Sequence, residues 1–326
     1  MHMADALVSP AVGAAGWTVS LAILGYGCRK IQNDMDEKIV PLMGVLAAFV
    51  FAAQMVNFSI PATGSSGHLT GTLLLAVLLG PHAAFVSIAS VLTIQAFFFA
   101  DGGLLALGCN IFNLGFFTCY IVYPLVYKKI AGGASDRKLI ALAAFVSAVI
   151  ALQMGSFAVV TETVVSGMTD ISFSSFLFLM QPIHLAIGAV EGAVTALILL
   201  FILQARPEML SANQHSGSVY KPALAMLAAE LITGGVVSIY ASGNPDGLEW
   251  SLMNSTDSYE PLSNNGSVHK AAESIQSGVA VMPDYSFKDA PESGSYAAGI
   301  FGSIAVLAFV FFSAFFLKMI KRRAEN

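Results

Sequence analysis

The chain has 326 residues, of which 56% are hydrophobic and only 11% are charged, and its formal net charge is −5. No water-soluble core needs so much apolar surface, so the composition predicts a polytopic protein of the lipid bilayer. The few basic residues are scattered among short loops, which argues against a nucleic-acid partner. The three cysteines lack CxxC spacing, which argues against a thiolate metal site.

The N-terminus begins with Met1-His2, a pair that can bind a metal. A free terminal amine, the amide nitrogen of His2 and its Nδ1 can surround one divalent ion in fused chelate rings. A fourth imidazole would complete a square-planar nitrogen set, which suits Ni(II) or Cu(II) better than zinc, magnesium or calcium. We expect the terminus to be retained, because Asp5 stands where a signal peptide carries basic residues. The alternative is that His2 is an ordinary solvated tail residue.

Nine apolar spans follow, which predicts an all-α membrane helix bundle. Gly80-Pro81 divides the third span from the fourth, because proline removes a backbone donor and interrupts a helix. With the N-terminus outside and the C-terminus cytoplasmic, 13 of the 15 basic residues lie on the inner side, as the positive-inside rule favours. The predicted spans are 11–28, 40–58, 69–80, 83–100, 105–127, 139–160, 174–203, 222–241 and 297–317.

Two polar stretches divide these spans into a group of seven and a group of two. We predict a membrane domain over residues 1–204, a linker over 205–220 and a two-helix domain over 221–326. The last domain contains an acidic outer loop, residues 242–295. Such a loop can collect cations, but it is more often a solubilising segment.

The loop after the second span has the sequence GSSGHLTG and contains His68. In this topology it lies on the outer side with the N-terminus, so His68 is our candidate for the fourth metal ligand. Its glycines allow close backbone approach, and Ser66 is a candidate to orient the site. The alternative is a polar turn whose side chains satisfy free backbone groups.

Polar side chains within the next spans also need an explanation. Gln95, Asn110 and Asn113 should face the bundle interior, where they either join helices or orient His2 and His68. Asp101 falls in a predicted surface turn. His184 and Glu191 share one helix face but are separated by about 10 Å along the axis, so we interpret them as a packing or coupling pair.

The sequence lacks several catalytic motifs. It contains no Gly-Lys pair and therefore no Walker A phosphate loop, and it has neither HExxH nor GxSxG. The chain is therefore not expected to be an enzyme.

Four segments together resemble the CbiM/NikM family, the metal-specific substrate-capture components of energy-coupling factor transporters. The resemblance covers residues 1 to about 203, and residues from Tyr220 onward are similar to the two-helix auxiliary component that some members carry as a fusion. The four segments are MHMADAL, GSSGHLTGT, IQAFFFADGGLLALGCNIFN and HLAIGAVEGAVTA.

The resemblance implies a seven-helix capture unit in a prokaryotic inner membrane, with its N-terminus inserted into the bundle. It also implies that Met1, His2 and His68 bind Ni²⁺, or Co²⁺ as the alternative, as the transported substrate. A separate transmembrane coupling subunit and cytoplasmic ATPases would complete the importer. From the residues alone, a proton-coupled secondary transporter using His184 and Glu191 is a competing hypothesis, although the odd helix count and the lack of a repeat argue against it.

Overall fold

The computed structural model describes residues 2–34, 39–132, 136–205, 207, 232–234, 237–255, 266–287 and 294–325. It is an all-α helix bundle with one two-stranded hairpin, in which Phe58–Ser59 pairs with Ser66–Gly67. In our numbering the helices are α1 Pro10–Asp34, α2 Ile39–Gln54, α3 Thr72–Leu79, α4 Pro81–Phe99, α5 Leu107–Ala131, α6 Arg137–Ser166, α7 Phe173–Ala205, α8 Gly247–Ser255, α9 Ser267–Val279 and α10 Gly294–Glu325.

Six of these helices, namely α1, α4, α5, α6, α7 and α10, are long and apolar enough to cross a membrane. The short helices α2 and α3 lie inside the bundle, and every residue of α3 is buried. The structure therefore confirms an all-α polytopic membrane bundle. The predicted span 222–241 and the linker 205–220 fall mostly outside the described residues.

The predicted break between the third and fourth spans is confirmed. Gly80 has φ +80°, a conformation that glycine adopts readily, and Pro81 is the first residue of α4. The chain therefore turns sharply between α3 and α4 instead of continuing as one helix.

Helix α5 differs from the simple apolar helix that its sequence suggests. Residues Phe112–Tyr127 form a π-helix that contains Pro124. Since proline cannot donate a backbone hydrogen bond, a wider turn is a physical way to accommodate it.

Among the described helices, α6 and α7 pack against each other most extensively. A side chain on Gly188 would come within 3.0 Å of the Cα of Val149, and one on Gly192 within 2.8 Å of the Cα of Phe145. The two glycines, four residues apart, therefore let the backbones approach, as small residues do where membrane helices pack.

The described residues of the predicted outer loop, 242–295, include helices α8 and α9 and pack on the rest of the protein. Leu248 and Leu252 of α8 and Met282 beyond α9 are each at most 3% exposed. We call residues 2–207 the N-terminal bundle and the described residues from 232 onward the C-terminal region. The loop is thus a packed part of the C-terminal region and not merely a solubilising segment.

Candidate metal site between the N-terminal segment and two loops

His2 and Met3 lie between the end of α4 and the start of α5. The backbone N–H of Met3 donates to Asn110 Oδ1 at 2.8 Å, and Asn110 Nδ2 donates back to the Met3 carbonyl at 3.1 Å. Gly103 N donates to the same carbonyl at 2.9 Å, and the Met3 side chain is fully buried. Asn110 therefore fixes the residue next to His2 inside the protein.

The imidazole of His2 faces a carboxylate. Its Nδ1 lies 2.8 Å from Asp101 Oδ1, while its Nε2 is buried without a hydrogen-bond partner. Asp101 lies in the turn after α4, where Gly102 has φ +79° and where a side chain on Gly102 would come within 3.3 Å of the His2 Cβ. The turn therefore needs glycine both for its conformation and for the close approach of His2.

His68 reaches the same place from the loop between α2 and α3. The ring centroids of His2 and His68 are 5.2 Å apart, and His68 Nδ1 lies 3.1 Å from the Leu69 carbonyl. Burial of the ring, followed by nearby positive charge that includes His2, lowers the pKa of His68 to about 3. His68 is therefore neutral at physiological pH and can offer a nitrogen lone pair to a metal.

A buried carboxylate on α7 anchors the His68 loop. Glu191 accepts hydrogen bonds from Thr70 N at 2.8 Å, from Thr70 Oγ1 at 2.5 Å and from Gly71 N at 3.1 Å. Gln54 Nε2 donates to the Thr70 carbonyl at 2.8 Å, and Gln95 Nε2 donates to Gln54 Oε1 at 2.8 Å. The loop is thereby joined to three helices of the N-terminal bundle.

The C-terminal region contacts this loop directly. Ser66 N donates to the Pro245 carbonyl at 2.8 Å, and Ser66 Oγ donates to the Asn244 carbonyl at 2.8 Å. Asp246 directly precedes α8 and accepts from Leu248 N at 2.8 Å. Burial alone would raise the pKa of Asp246, but neighbouring positive charge and backbone hydrogen bonding hold it well below its usual range.

The predicted site residues can now be placed. His2 and His68 come together, Asn110 holds the backbone beside His2, Gln95 reaches the His68 loop through Gln54, and Ser66 joins that loop to the C-terminal region. Met1 lies outside the described residues, so its role as a ligand stays a prediction. Among the residues that are described, no group of three or more His, Cys, Asp or Glu side chains is arranged to hold a metal. A site here therefore needs ligands from the backbone or from Met1.

The partners of these residues were not predicted from the sequence. Asp101 was predicted to lie in a surface turn, Asp246 in an acidic loop and Glu191 in a packing or coupling pair, and no role was predicted for His269. In the structure His269 is buried, and its Nε2 lies 2.9 Å from the Val8 carbonyl, so it fixes the N-terminal segment. Only Glu191 carried a usable signal, because an ionisable residue inside a membrane span usually has a specific partner.

His184 and Glu191 do not act on a common group. The Nδ1 of His184 lies 2.8 Å from the Met180 carbonyl on its own helix, whereas Glu191 is bonded to Thr70 and Gly71. Between them, Ile187 packs on Gly67, where an added side chain would come within 2.5 Å of its Cγ1. This face of α7 therefore supports the His68 loop, and Glu191 is already engaged there.

Two known protein families match this chain. The CbiM family, described as a cobalt uptake substrate-specific transmembrane region, matches residues 2–209, and the PDGLE domain matches residues 220–319. The chain belongs to the CbiM family. The letters of the second domain's name occur in this chain as Pro245 to Glu249, the stretch that contacts Ser66 and begins α8.

Individual relatives of this CbiM-family protein are metal transport proteins. A putative fused nickel transport protein NikMN of Archaeoglobus fulgidus is 33% identical and aligns over 95% of this chain and 97% of its own length. A cobalt transport protein CbiM of Geobacter sulfurreducens is 28% identical over 72% of this chain and 72% of its own.

A crystal structure of a truncated transition metal transporter is 28% identical, with a TM-score of 0.56 over 63% of this chain and 99% of that one. The helices and these relatives together establish a multi-pass membrane protein of the nickel and cobalt transport class.

Proposed function

We propose that this chain is the substrate-binding membrane subunit of an ATP-driven nickel importer of the energy-coupling factor type. The observation that supports it best is the close approach of His2 and His68, whose ring centroids are 5.2 Å apart where the N-terminal segment enters the bundle. Two imidazoles next to backbone nitrogens offer the donor set that Ni(II) favours.

In this proposal the metal is the transported substrate. The terminal amine of Met1, the amide and Nδ1 of His2, and His68 bind it. Nδ1 of His2 lies 2.8 Å from Asp101 Oδ1, so in this proposal the ring leaves Asp101 before the chelate closes. Metal binding thus exchanges one hydrogen bond of His2 for a coordination bond. Asn110 and Glu191 hold the two ligand segments while this exchange takes place.

The rest of the importer would lie in separate subunits. The chain contains no Gly-Lys pair and hence no Walker A motif, so we propose that a transmembrane coupling subunit and cytoplasmic ATPases drive release. We propose a prokaryotic inner membrane with the site and the N-terminus outside, because most basic residues would then lie on the cytoplasmic side.

The decisive experiment compares one preparation before and after a single cut. The protein carries an N-terminal tag without histidine, and a protease removes the tag to leave Met1 as the first residue. We expect one nickel ion per chain, with the absorption of a diamagnetic square-planar complex, only after cleavage. Equal binding before cleavage would exclude the terminal chelate, and no binding after cleavage would exclude metal capture by this chain.

Cobalt is the second candidate substrate, because cobalt transport proteins are among the relatives. The cleaved protein is equilibrated with equal concentrations of Ni(II) and Co(II), and the bound metal is measured by mass spectrometry. A square-planar nitrogen site favours nickel, so we expect nickel to predominate. Predominant cobalt would change the substrate but not the site.

A further inference from the structure

Residues of the C-terminal region donate hydrogen bonds to backbone carbonyls at the end of helix α4, directly before the turn that carries Asp101. Val281 N and Met282 N each donate to the Phe98 carbonyl at 3.0 Å. Gln276 Nε2 donates to the Ala96 carbonyl at 2.9 Å and to the Gly102 carbonyl at 2.7 Å. The last carbonyls of a helix have no partner within it, so residues from the other region supply their hydrogen bonds.

The same segment of the C-terminal region places a tyrosine on Asp101. The Tyr285 ring stacks on Phe99 with centroids 4.8 Å apart, and its hydroxyl donates to Asp101 Oδ2. Asp284 and Tyr285 have φ of +51° and +58°, which is uncommon for residues other than glycine. Such a conformation persists only where surrounding contacts hold it.

Asp101 thus has two partners, one from each region of the protein. Oδ1 faces His2 and Oδ2 accepts from Tyr285, and the Asp101 side chain is only 26% exposed. A carboxylate that is largely removed from water is costly to leave without hydrogen bonds.

We propose that Tyr285 is a positioning residue for metal capture: it keeps Asp101 hydrogen-bonded when the His2 ring leaves it for the metal. This inference rests on the proposed function, because it concerns the exchange of His2 between Asp101 and nickel. Without Tyr285, Asp101 would retain His2 more strongly and would lose its remaining side-chain partner when the metal binds. The C-terminal region would thereby raise the metal affinity of a site whose ligands all belong to the N-terminal bundle.

The test uses Tyr285→Phe in the full-length protein with Met1 as the first residue. Phenylalanine keeps the stacking on Phe99 and removes only the hydroxyl. We expect nickel affinity to fall about tenfold or more, which is the usual size of the effect when a partner of a metal ligand is lost. Tyr240→Phe is the matched control, because Tyr240 is 84% exposed in the same region, and it should bind nickel like the wild type.

A double-mutant cycle separates this role from general damage to the fold. In an Asp101→Ala background the hydroxyl has no carboxylate to bind, so adding Tyr285→Phe should change nickel affinity by less than about twofold. The inference is overturned if Tyr285→Phe leaves affinity unchanged or raises it, or if it lowers affinity equally in both backgrounds. Failure of the wild type to bind nickel would instead overturn the proposed function.

Discussion

The two histidines of the site are carried by segments that the protein supports in different ways. The His68 loop is anchored within the N-terminal bundle, where Glu191 accepts three hydrogen bonds from Thr70 and Gly71. The turn that faces His2 is supported largely from the C-terminal region, through Gln276 and Tyr285. One proposed ligand is therefore held mainly by the bundle that presents it, while the partner of the other depends on a separate part of the chain.

This difference suggests a division of roles at the site. A ligand on a rigid element keeps its geometry and needs no ordering when a metal arrives. In the proposed function the His2 side instead changes partners, since its Nδ1 lies 2.8 Å from Asp101 Oδ1. We infer that His68 keeps its position when a metal binds and that the His2 ring moves.

The largest effect is expected when the carboxylate that anchors the His68 loop is removed. Glu191→Ala removes the acceptor of three hydrogen bonds and leaves buried donors on Thr70 and Gly71 without a partner. We expect a loss of about 3 to 5 kcal/mol of stability, together with a strong fall in nickel affinity. The measurements are the apparent melting temperature in detergent and a nickel titration.

Glu273→Ala, at an exposed position on α9, is the control for removing one carboxylate. It should leave both measurements unchanged. If Glu191→Ala melted and bound nickel like the wild type, the His68 loop would not depend on α7, and the contrast between the two ligand segments would fail.

A smaller effect is expected from crowding the same loop. A methyl group on Gly67 would lie 2.5 Å from Ile187 Cγ1, so Gly67→Ala must displace either the loop or the helix. Overpacking of this kind costs about 1 to 3 kcal/mol, and we expect nickel affinity to fall because His68 is the next residue. Melting temperature and nickel titration again measure the change.

Two further variants sharpen this prediction. Gly243→Ala adds a methyl group where no atom lies within 4 Å, so it should be nearly neutral. Ile187→Ala combined with Gly67→Ala restores space and should recover part of the lost affinity. No recovery would mean that Ile187 is not the group that positions the loop.

The membrane architecture and the two histidine segments could be predicted because their signals are local. Gly80-Pro81 interrupts a helix through its own backbone, and the glycines around His68 are adjacent in sequence. The prediction that His2 and His68 lie close together also depended on the membrane topology, which placed both segments on the same side. Local signals joined by the positive-inside rule were therefore sufficient to bring the two rings together.

The support of the site could not be predicted in the same way. The bond from Tyr285 to Asp101 joins residues 184 positions apart, and the one from Thr70 to Glu191 joins residues 121 positions apart. A single tyrosine in a polar loop has no periodicity or motif that identifies its partner. The turn residues around Asp101 were recognised, but the direction of its carboxylate depends on how the two regions pack.

The last prediction concerns the pH dependence of the metal-free protein and is the smallest in size. Burial, followed by nearby positive charge, lowers the pKa of His68 from about 6.5 to about 3 in the folded protein. Between these values the unfolded chain binds a proton that the folded chain does not. Stability is therefore fully present above pH 6.5 and decreases as the pH falls, by about 1 kcal/mol between pH 7 and pH 5.5.

His68→Gln removes this titration, so its apparent melting temperature should depend less on pH than that of the wild type over the same interval. Nuclear magnetic resonance of labelled histidine should show no protonation of His68 between pH 5 and pH 8. A transition near pH 6.5 would show that the ring is open to water in the metal-free state. The His68 loop would then be ordered only when metal binds, and it would no longer differ in this way from the segment that carries His2.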